Sequence, residues 1–459
     1  MSADTSKSAV PKAEEGFVPF LRQFFPESLT LAALLAVLAL LVTIPYLQPM
    51  TQLEMLATGF IPLISVQMSL ILLWLLSAAV VESVLFGRFF DWVAHLLPTG
   101  SQRSIIYSTG FLALLFGWIN WALGLIGAIL IGRHLCRTAE ENGVRVHYPL
   151  VLMAGLLSLV ITNVGLSSPG ALLMADPSGT TNFLVNPDQG ELVIDMGAFL
   201  FTPVNIVSCV IFLFTLPMLL SLLAPSAEND RKSISEFADV LEGGIADTFD
   251  HYVPPDRDKW VFADEIEQSR LISVLTGLLG AISIVAYFLT DGKLTMLWAL
   301  FTLMILGVVV NFPPMAFVEK VNSAVRWVNH LAIPFLLYAS VYGLLSKADL
   351  YAPIGDALAS TGVTQVSSYI VALIVGLLVP DPGSLWVIQG PALTSAGAEL
   401  VPSLISVMYG AGVSNLWLGF LFIGLISSIS GFGWREYLRY TAIVTIYVSV
   451  VVIALMLAL

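Results

Sequence analysis

A single carboxylate stands inside one of the long apolar stretches of the chain. The segment 379–391, VPDPGSLWVIQGP, holds Asp381 between two prolines, and residues 370–378 before it are apolar. In lipid, a backbone interrupted in this way survives only where it is buried in protein or lines a cavity. A carboxylate near the bilayer centre costs roughly 2.5–3.5 kcal/mol on insertion scales and marks a functional site by default. The segment therefore predicts the tip of a re-entrant hairpin at a solute site.

Three other interruptions carry polar residues beside glycines within apolar runs: Asn120-Trp121 in stretch 105–132, Thr162-Asn163 in 149–175 and Ser414-Asn415 in 402–430. The N-terminus of a half-helix presents free N–H groups to an anion, while unwound carbonyls and the oxygens of Asn or Ser suit a small cation. The candidate solute-binding residues are therefore Asn120, Trp121, Asn163, Gly383, Ser384, Trp386 and Asn415. The candidate ion-coupling residues are Asp381, Thr162, Asn163, Ser414 and Asn415.

Each of these residues also has a structural interpretation. Asp381 can cap a half-helix that has Pro382 at its first position. It can instead ligate a coupling cation, carry a coupling proton, or pair with a cationic group on the solute. The asparagines can form packing hydrogen bonds between helices. The tryptophans can be packing residues, and Trp386 is the best candidate among them for lining an apolar pocket.

The composition excludes an ordinary soluble domain. The 459 residues are 57% hydrophobic and 11% charged, with a mean hydropathy of +0.89, which indicates a polytopic membrane protein. The net charge of -13 comes from acids clustered in 176–195 and 228–267, so it belongs to solvated loops and indicates no nucleic-acid partner. Cys136 and Cys209 form neither a disulfide framework nor a metal-ligand pattern. No cofactor is expected other than Na+, if that ion drives transport.

The positions of Lys and Arg predict the side of the membrane that each loop faces. The N-terminal segment 1–28 carries positive charge before the first span, so it is expected in the cytoplasm. Arginines flank stretch 105–132 on both sides, so this stretch should enter and leave on one face, with Asn120 at its turn. Stretch 366–396 should likewise enter from the outside and return there. Both stretches are therefore expected to form re-entrant hairpins.

The same order of segments occurs in both halves of the chain, with opposite predicted orientation. This pattern predicts an all-α protein with inverted repeats, about nine full spans, two re-entrant hairpins and two broken helices, which is typical of secondary transporters. The segments 86–98 and 347–359 before the hairpins are either interfacial helices or ordinary loops. The expected units are a first repeat 29–224, an acidic cytoplasmic loop 225–270, a linking span 271–290 and a second repeat 294–459.

Short motifs distributed along the chain carry a family resemblance. They are ESLTLA at 27–32, Asn120-Trp121, IEQSR at 266–270, WVIQGP at 386–391, and Tyr409-Gly410 followed by Asn415. In these motifs, and in order over nearly its whole length, the chain resembles the short-chain fatty acid transporters of the AtoE type. It departs from the family at the second hairpin tip, where PDPGS at 380–384 replaces the usual Pro-Ser-Gly-Gly-Gly.

The resemblance implies a carrier of short monocarboxylates such as acetoacetate and butyrate. It also implies membership of the ion transporter superfamily, in which a hairpin-containing transport domain moves against a scaffold, usually in a dimer. We therefore expect a secondary active transporter of a small organic acid, coupled to Na+ or H+. Elevator-type alternating access, a homodimer and the bacterial inner membrane follow from the same analogy.

Two other functions remain open on the sequence alone. A carrier of an amino acid or another zwitterion could use Asp381 to bind the cationic group, and a channel-like facilitator would show no counterflow. An enzyme is not expected, because the chain has no Walker A pattern, no H-E-x-x-H and no G-x-S-x-G. Acid chemistry at Asp381 would also need a second acid at the same depth, and none is evident.

Overall fold

The structure is a computed structural model that describes residues 28–184, 192–236, 244–249, 251–418 and 434–459. The described residues form α-helices joined by short 3-10 and π-helical turns, with no β-strand among them. Helices satisfy their own backbone hydrogen bonds, which is what a chain of this hydropathy requires in lipid. The all-α membrane architecture predicted from the sequence is confirmed.

The first half of the chain contains eleven helices in the described residues. A π-helical turn, Leu123–Gly127, leads into the sixth of them. The helices are α1 (Ser28–Thr43), α2 (Pro49–Thr58), α3 (Ile64–Val81), α4 (Val84–His95), α5 (Gln102–Ile119), α6 (Ala128–Glu141), α7 (Tyr148–Leu156), α8 (Ser158–Thr162), α9 (Pro169–Met174), α10 (Met196–Leu200) and α11 (Pro203–Leu222).

The second half repeats this order of elements after a connection through α12 (Phe262–Glu267) and α13 (Arg270–Leu289). Two long helical regions are followed by a short helix, a hairpin, a buried helix and a closing helix. The helices are α14 (Met296–Val310), α15 (Pro314–Ala324), α16 (Asn329–Ala332), α17 (Pro334–Lys347), α18 (Tyr351–Ala359), α19 (Thr364–Val375), α20 (Pro382–Ser395), α21 (Leu400–Leu418) and α22 (Trp434–Ala458).

Five helical segments of the described chain are long and apolar enough to cross a membrane. One of them joins α2 and α3 into a single segment, Pro49–Val81, so the residues that precede the second predicted span are helical and not a loop. The others are Pro203–Leu222, Arg270–Leu289, Leu400–Leu418 and Arg439–Ala458. The segments 86–98 and 347–359, for which a loop was the alternative, contain helices α4 and α18.

The first hairpin consists of α5 and the helix that follows Asn120. Asn120 has an extended backbone, with φ −155° and ψ 139°, and ends α5. At the start of α5, the Gln102 Oε1 accepts a hydrogen bond of 3.3 Å from the backbone N–H of His147, the N-cap of α7. The limbs are longer than the predicted 105–132, since they run from Gln102 to Glu141.

The second hairpin consists of α19 and α20. The Gln389 Nε2 donates to the carbonyl oxygen and to the hydroxyl of Ser368, both at 2.9 Å, which joins the two limbs about two turns from the tip. The chain reverses between Val375 and Pro382. These limits agree with the predicted stretch 366–396.

One of the two predicted helix breaks is present and the other is not. Residues 163–168 between α8 and α9 are non-helical, as expected for the stretch 149–175. In contrast, α21 continues without interruption through 410–415, so the expected unwinding there is wrong. The remainder of the predicted broken helix, 419–430, lies outside the described residues.

The glycines of α21 serve close packing and not unwinding. A Cβ atom on Gly410 would lie 2.7 Å from the Tyr369 carbonyl oxygen, and one on Gly412 would lie 2.9 Å from the Leu159 carbonyl oxygen. Small residues let the backbones of membrane helices approach in this way. Helix α21 therefore lies against the second hairpin on one side and against α8 on the other.

The close approach inside the first hairpin gives a test of this packing. A Cβ atom on Gly124 would lie 2.4 Å from the Gly117 Cα, so Gly124→Ala should push the limbs apart. Overpacking of this kind costs about 1–3 kcal/mol, and we expect a lower thermal unfolding midpoint for the purified protein in detergent. Gly100→Ala is the control, because nothing lies within 4 Å of its Cβ position. Equal midpoints for the two variants would contradict the packing.

Candidate functional site

Both hairpin tips contact one turn of α3. The Trp74 Nε1 donates a hydrogen bond of 3.1 Å to the Asp381 Oδ1 at the second tip. The Trp74 ring also packs on Trp121 at the first tip, with ring centroids 4.2 Å apart and planes at 46°. Trp74 is 6% exposed, so these contacts are made away from solvent. The structure thus brings Trp121 and Asp381, which are 260 positions apart in the numbering, to the same side chain.

Asp381 is the N-cap of α20, with Pro382 at the first helical position. The carboxylate is fully buried, and its Oδ2 accepts from the Ser384 backbone N–H at 2.6 Å and from the Ser384 hydroxyl at 2.7 Å. The Gly383 backbone N–H is a further donor to this carboxylate, beside Ser384 and Trp74. The capping interpretation therefore describes the observed geometry.

The second tip is pressed against α3. A Cβ atom on Gly383 would lie 2.5 Å from the Leu70 Cδ2, so no larger residue fits there without movement. The Ser384 hydroxyl donates to Asp381 and has no second hydrogen to offer a solute. Gly383 and Ser384 therefore order the tip in this conformation, and their contact with a solute stays a prediction.

The first tip is capped in the same manner, by a neutral residue. The Asn120 Oδ1 accepts from the backbone N–H of Ala122 at 2.9 Å and of Leu123 at 3.4 Å. Its Nδ2 donates to the Ser77 hydroxyl on α3 at 2.9 Å. Each tip is therefore held by its own cap and by one polar side chain of α3.

The break between α8 and α9 is attached to the first tip. The Leu166 N–H donates to the Trp118 carbonyl at 2.7 Å, and the Ser167 hydroxyl accepts from the Trp121 N–H at 3.2 Å. The Thr162 hydroxyl donates to the Gly117 carbonyl at 3.2 Å. Thr162 is thus engaged with the hairpin backbone in this conformation.

Three buried N–H groups on the predicted residues have no acceptor. They are the Trp121 Nε1, the Asn163 Nδ2 and the Trp386 Nε1, none of which has a hydrogen-bond partner in the described part of the chain. Leaving such a donor unpaired costs roughly 1–3 kcal/mol, and native proteins seldom bury one without a reason. Trp121 and Asn163 both belong to the first tip and its break, whereas Trp386 lies on α20 beyond the second tip.

Ser414 and Asn415 are buried on α21 and do not join this group. The Ser414 hydroxyl donates to the Ala411 carbonyl at 2.8 Å and lies 2.2 Å from the Cβ position of Gly376. It therefore contacts the first limb of the second hairpin, and no hydrogen bond connects it to Asp381 among the described residues. No group of three or more His, Cys, Asp or Glu suited to a metal occurs in the described ranges.

The sequence reasoning missed the residues of α3 and their partners in the second half. Glu82, directly after α3, is 3% exposed, and its Oε1 accepts from Arg326 and from the Trp327 Nε1, both at 2.7 Å. Trp327 packs on Trp121 with ring centroids 5.5 Å apart. The available signal was that Trp74 and Ser77 are three residues apart in an apolar span, which places their polar atoms on one face.

The bond between Trp74 and Asp381 can be tested by removing its donor. Trp74→Phe keeps an aromatic ring but leaves a buried carboxylate oxygen without its partner, which costs about 1–3 kcal/mol or more because the acceptor is charged. Trp417→Phe is the matched control, since the Trp417 Nε1 donates at the same distance of 3.1 Å to a neutral hydroxyl, that of Thr445. We expect the thermal unfolding midpoint to fall further for Trp74→Phe. A larger fall for Trp417→Phe would refute the importance of the Asp381 bond.

The chain is similar over most of its length to known transporters. Two curated relatives, both provisionally named short-chain fatty acid transporters, come from Escherichia coli K12 (24% identical, covering 94% of this chain and 96% of the relative) and Haemophilus influenzae (22% identical, covering 94% and 95%). The solved YdaH transporter of Alcanivorax borkumensis shares the fold, with a TM-score of 0.55, 12% identity and coverage of 94% and 97%. The antimetabolite efflux pump MtrF of Neisseria gonorrhoeae has a TM-score of 0.50, 12% identity and coverage of 96% of both chains.

These relatives are transporters and not enzymes, and the protein is accordingly a multi-pass membrane transporter. The sequence profile described as Short chain fatty acid transporter matches residues 10–459. The match extends over both hairpins, the break between α8 and α9, and the α3 turn that joins the tips. The resemblance seen in the sequence motifs is therefore confirmed, and the chain belongs to the short-chain fatty acid transporter family.

Proposed function

We propose that this protein is a secondary active transporter that carries a short-chain monocarboxylate. The observation that carries the proposal is the set of buried N–H donors without acceptors, on Trp121, Asn163 and Trp386. A carboxylate is an acceptor only, so it complements such donors, while an ammonium group does not. The curated relatives named for short-chain fatty acid transport support the same class of solute.

The charges at the two tips favour placing the anion at the first one. The N-terminal end of a helix carries roughly half a positive charge, and the second limb of each hairpin begins at a tip beside Trp74. At the second tip, Asp381 offsets this charge, whereas the first tip is capped by the neutral Asn120. We therefore propose that Asn120, Trp121 and Asn163 hold the carboxylate, and that Trp386 lines the site of the alkyl chain.

The negative charge of Asp381 does not exclude an anionic solute in this arrangement. Its carboxylate accepts hydrogen bonds from Trp74 and twice from Ser384, and these protein donors partly offset its charge. A zwitterion carrier would need Asp381 to meet an ammonium group, whereas protein donors from Trp74, Ser384 and Gly383 already surround this carboxylate. The monocarboxylate is therefore the better match.

Coupling to Na+ or H+ is part of the proposal. The oxygens available for a cation belong to Asp381, Thr162, Asn163, Ser414 and Asn415, all of which are buried. Oxygen ligands of this kind suit a small hard cation. The Thr162 and Ser414 hydroxyls donate to backbone carbonyls, which leaves the lone pairs of their oxygens for an ion.

The transport cycle that we propose follows the superfamily. The repeated order of helices on either side of α13 supports inverted repeats with re-entrant hairpins, since a single linking span reverses the second half. The hairpins and α21 would move as a body against the remaining helices in an elevator-type cycle. We further propose a cytoplasmic N-terminus, on the basis of the Lys and Arg distribution. A homodimer in the bacterial inner membrane is proposed by analogy with the superfamily.

Counterflow tests the carrier. Proteoliposomes loaded with unlabelled butyrate should accumulate labelled butyrate transiently, and short monocarboxylates should raise the thermal unfolding midpoint of the purified protein by mass action. The screen compares acetate through octanoate with oxo acids and amino acids, with and without Na+. If only amino acids raise the unfolding midpoint, the solute is a zwitterion and not a monocarboxylate. Flux that shows neither saturation nor counterflow would indicate a channel.

Asp381→Asn tests the coupling role, because asparagine caps helices about as well as aspartate but carries no charge. We expect uptake driven by a pH gradient to be lost while solute exchange continues. Asp195→Asn is the matched control, since Asp195 caps α10 in the same way at an exposed position. Unchanged pH-driven uptake in Asp381→Asn would refute a coupling role for Asp381, and the proposed solute would be unaffected.

A further inference from the structure

A cavity distant from the hairpin tips lies where α13 begins. Its volume is about 650 Å³, and it is lined by the start of α4, the first residue of α13, the end of α14 and the turn before α15. His251, Tyr252, Pro254 and Trp260 complete the lining from the segment before α12. Its polar lining includes Arg88, Tyr252, Gln268, Arg270 and Lys320. None of these residues takes part in the site at the tips.

The cavity is positively charged. Arg88, Arg270 and Lys320 come from α4, α13 and α15, and no acidic residue lines the cavity among the described residues. The Arg270 guanidinium lies 5.4 Å from the ring centroid of Phe312, so its charge is held at the wall by an aromatic face. Arg88 and Arg270 are both exposed at the cavity, and Arg is the residue that best fits a phosphate, through two parallel hydrogen bonds.

The cavity also offers an acceptor. The Gln268 Nε2 donates to the Tyr252 hydroxyl, while the Gln268 Oε1 is buried and has no partner in the described part of the chain. A bound molecule with an anionic group and a neighbouring hydroxyl or ammonium would satisfy both the arginines and this oxygen. The glycerol and phosphate parts of a phospholipid headgroup have this chemistry.

Apolar surface continues directly from the cavity along α13. Leu271, Val274 and Leu278 are 64%, 54% and 57% exposed and follow one face of the helix from Arg270. Helix α13 is among the segments able to span the membrane, and only 17% of it is buried in the protein. At the rim, Val261 and Phe262 are 62% and 77% exposed. A charged head in the cavity and alkyl chains along α13 would cover both surfaces.

We propose that this cavity is a binding site for the headgroup of an anionic phospholipid, whose acyl chains lie along α13. Basic pockets between transmembrane helices are suited to anionic headgroups on the cytoplasmic side, which is the side predicted for these arginines. Arg88 and Arg270 hold the phosphate, and Gln268 accepts a hydrogen bond from the remainder of the headgroup. The site is independent of the proposed solute and its coupling ion.

The experiment measures the thermal unfolding midpoint of delipidated full-length protein during titration with phosphatidylglycerol. We expect phosphatidylglycerol to raise the midpoint, and phosphatidylcholine and inorganic phosphate to leave it unchanged. Arg88→Gln combined with Arg270→Gln should raise the half-saturating phosphatidylglycerol concentration about tenfold or more, since each charged hydrogen bond is worth at least a factor of that order. Arg88→Gln alone should give a smaller shift, and it provides the test if the double variant does not fold.

The matched control is Arg137→Gln combined with Lys259→Gln, which removes the same charge outside the cavity. Both residues pair with a neighbouring acid, at 2.9 and 2.8 Å, and the response to lipid should remain as in the unmodified protein. An equal response to phosphatidylcholine, or an equal loss in the control, would overturn the site. A response to inorganic phosphate would assign the cavity to a soluble anion, and a change of oligomeric mass in the cavity variant without a change in lipid response would assign it to a second copy of the chain.

Discussion

The arrangement of the site depends on one buried charge and its hydrogen bonds. A carboxylate that leaves water is tolerated only where donors replace its hydration. Asp381 obtains one donor from Trp74, 307 positions earlier in the chain, and two from Ser384 within its own helix. The second tip can therefore be ordered only when α3 lies beside it. Because α3 also holds Asn120 through Ser77, the same helix orders the first tip.

Aromatic contacts extend this connection into the second half of the chain. Trp74, Trp121 and Trp327 pack in series, with centroid separations of 4.2 and 5.5 Å. The last of the three donates to Glu82, whose charge is also offset by Arg326. The carboxylates of Asp381 and Glu82 thus both accept hydrogen bonds from protein donors. In the site that we propose, an anion would meet N–H groups and indole rings.

The parts of the site that could be predicted from the sequence are those that local rules decide. A proline and an aspartate inside an apolar run predict a capped half-helix, and Asp381 with Pro382 forms one. The role of Trp74 could not be predicted, because it depends on partners brought together by the fold. The glycines of α21 have two uses in a membrane, unwinding or close packing, and only the neighbouring carbonyls of Tyr369 and Leu159 show which applies.

The spacing of the two attachments on α3 has a consequence for the size of the cargo. Trp74 and Ser77 are three positions apart, which corresponds to a rise of about 4.5 Å along the helix axis. Both tips are consequently attached to one helical turn, and moving the tips apart would break one of these attachments. If the solute lies between the tips, a longer alkyl chain would require such a movement. In that case α3 would determine the selection for solutes with short alkyl chains, although this helix need not contact the solute.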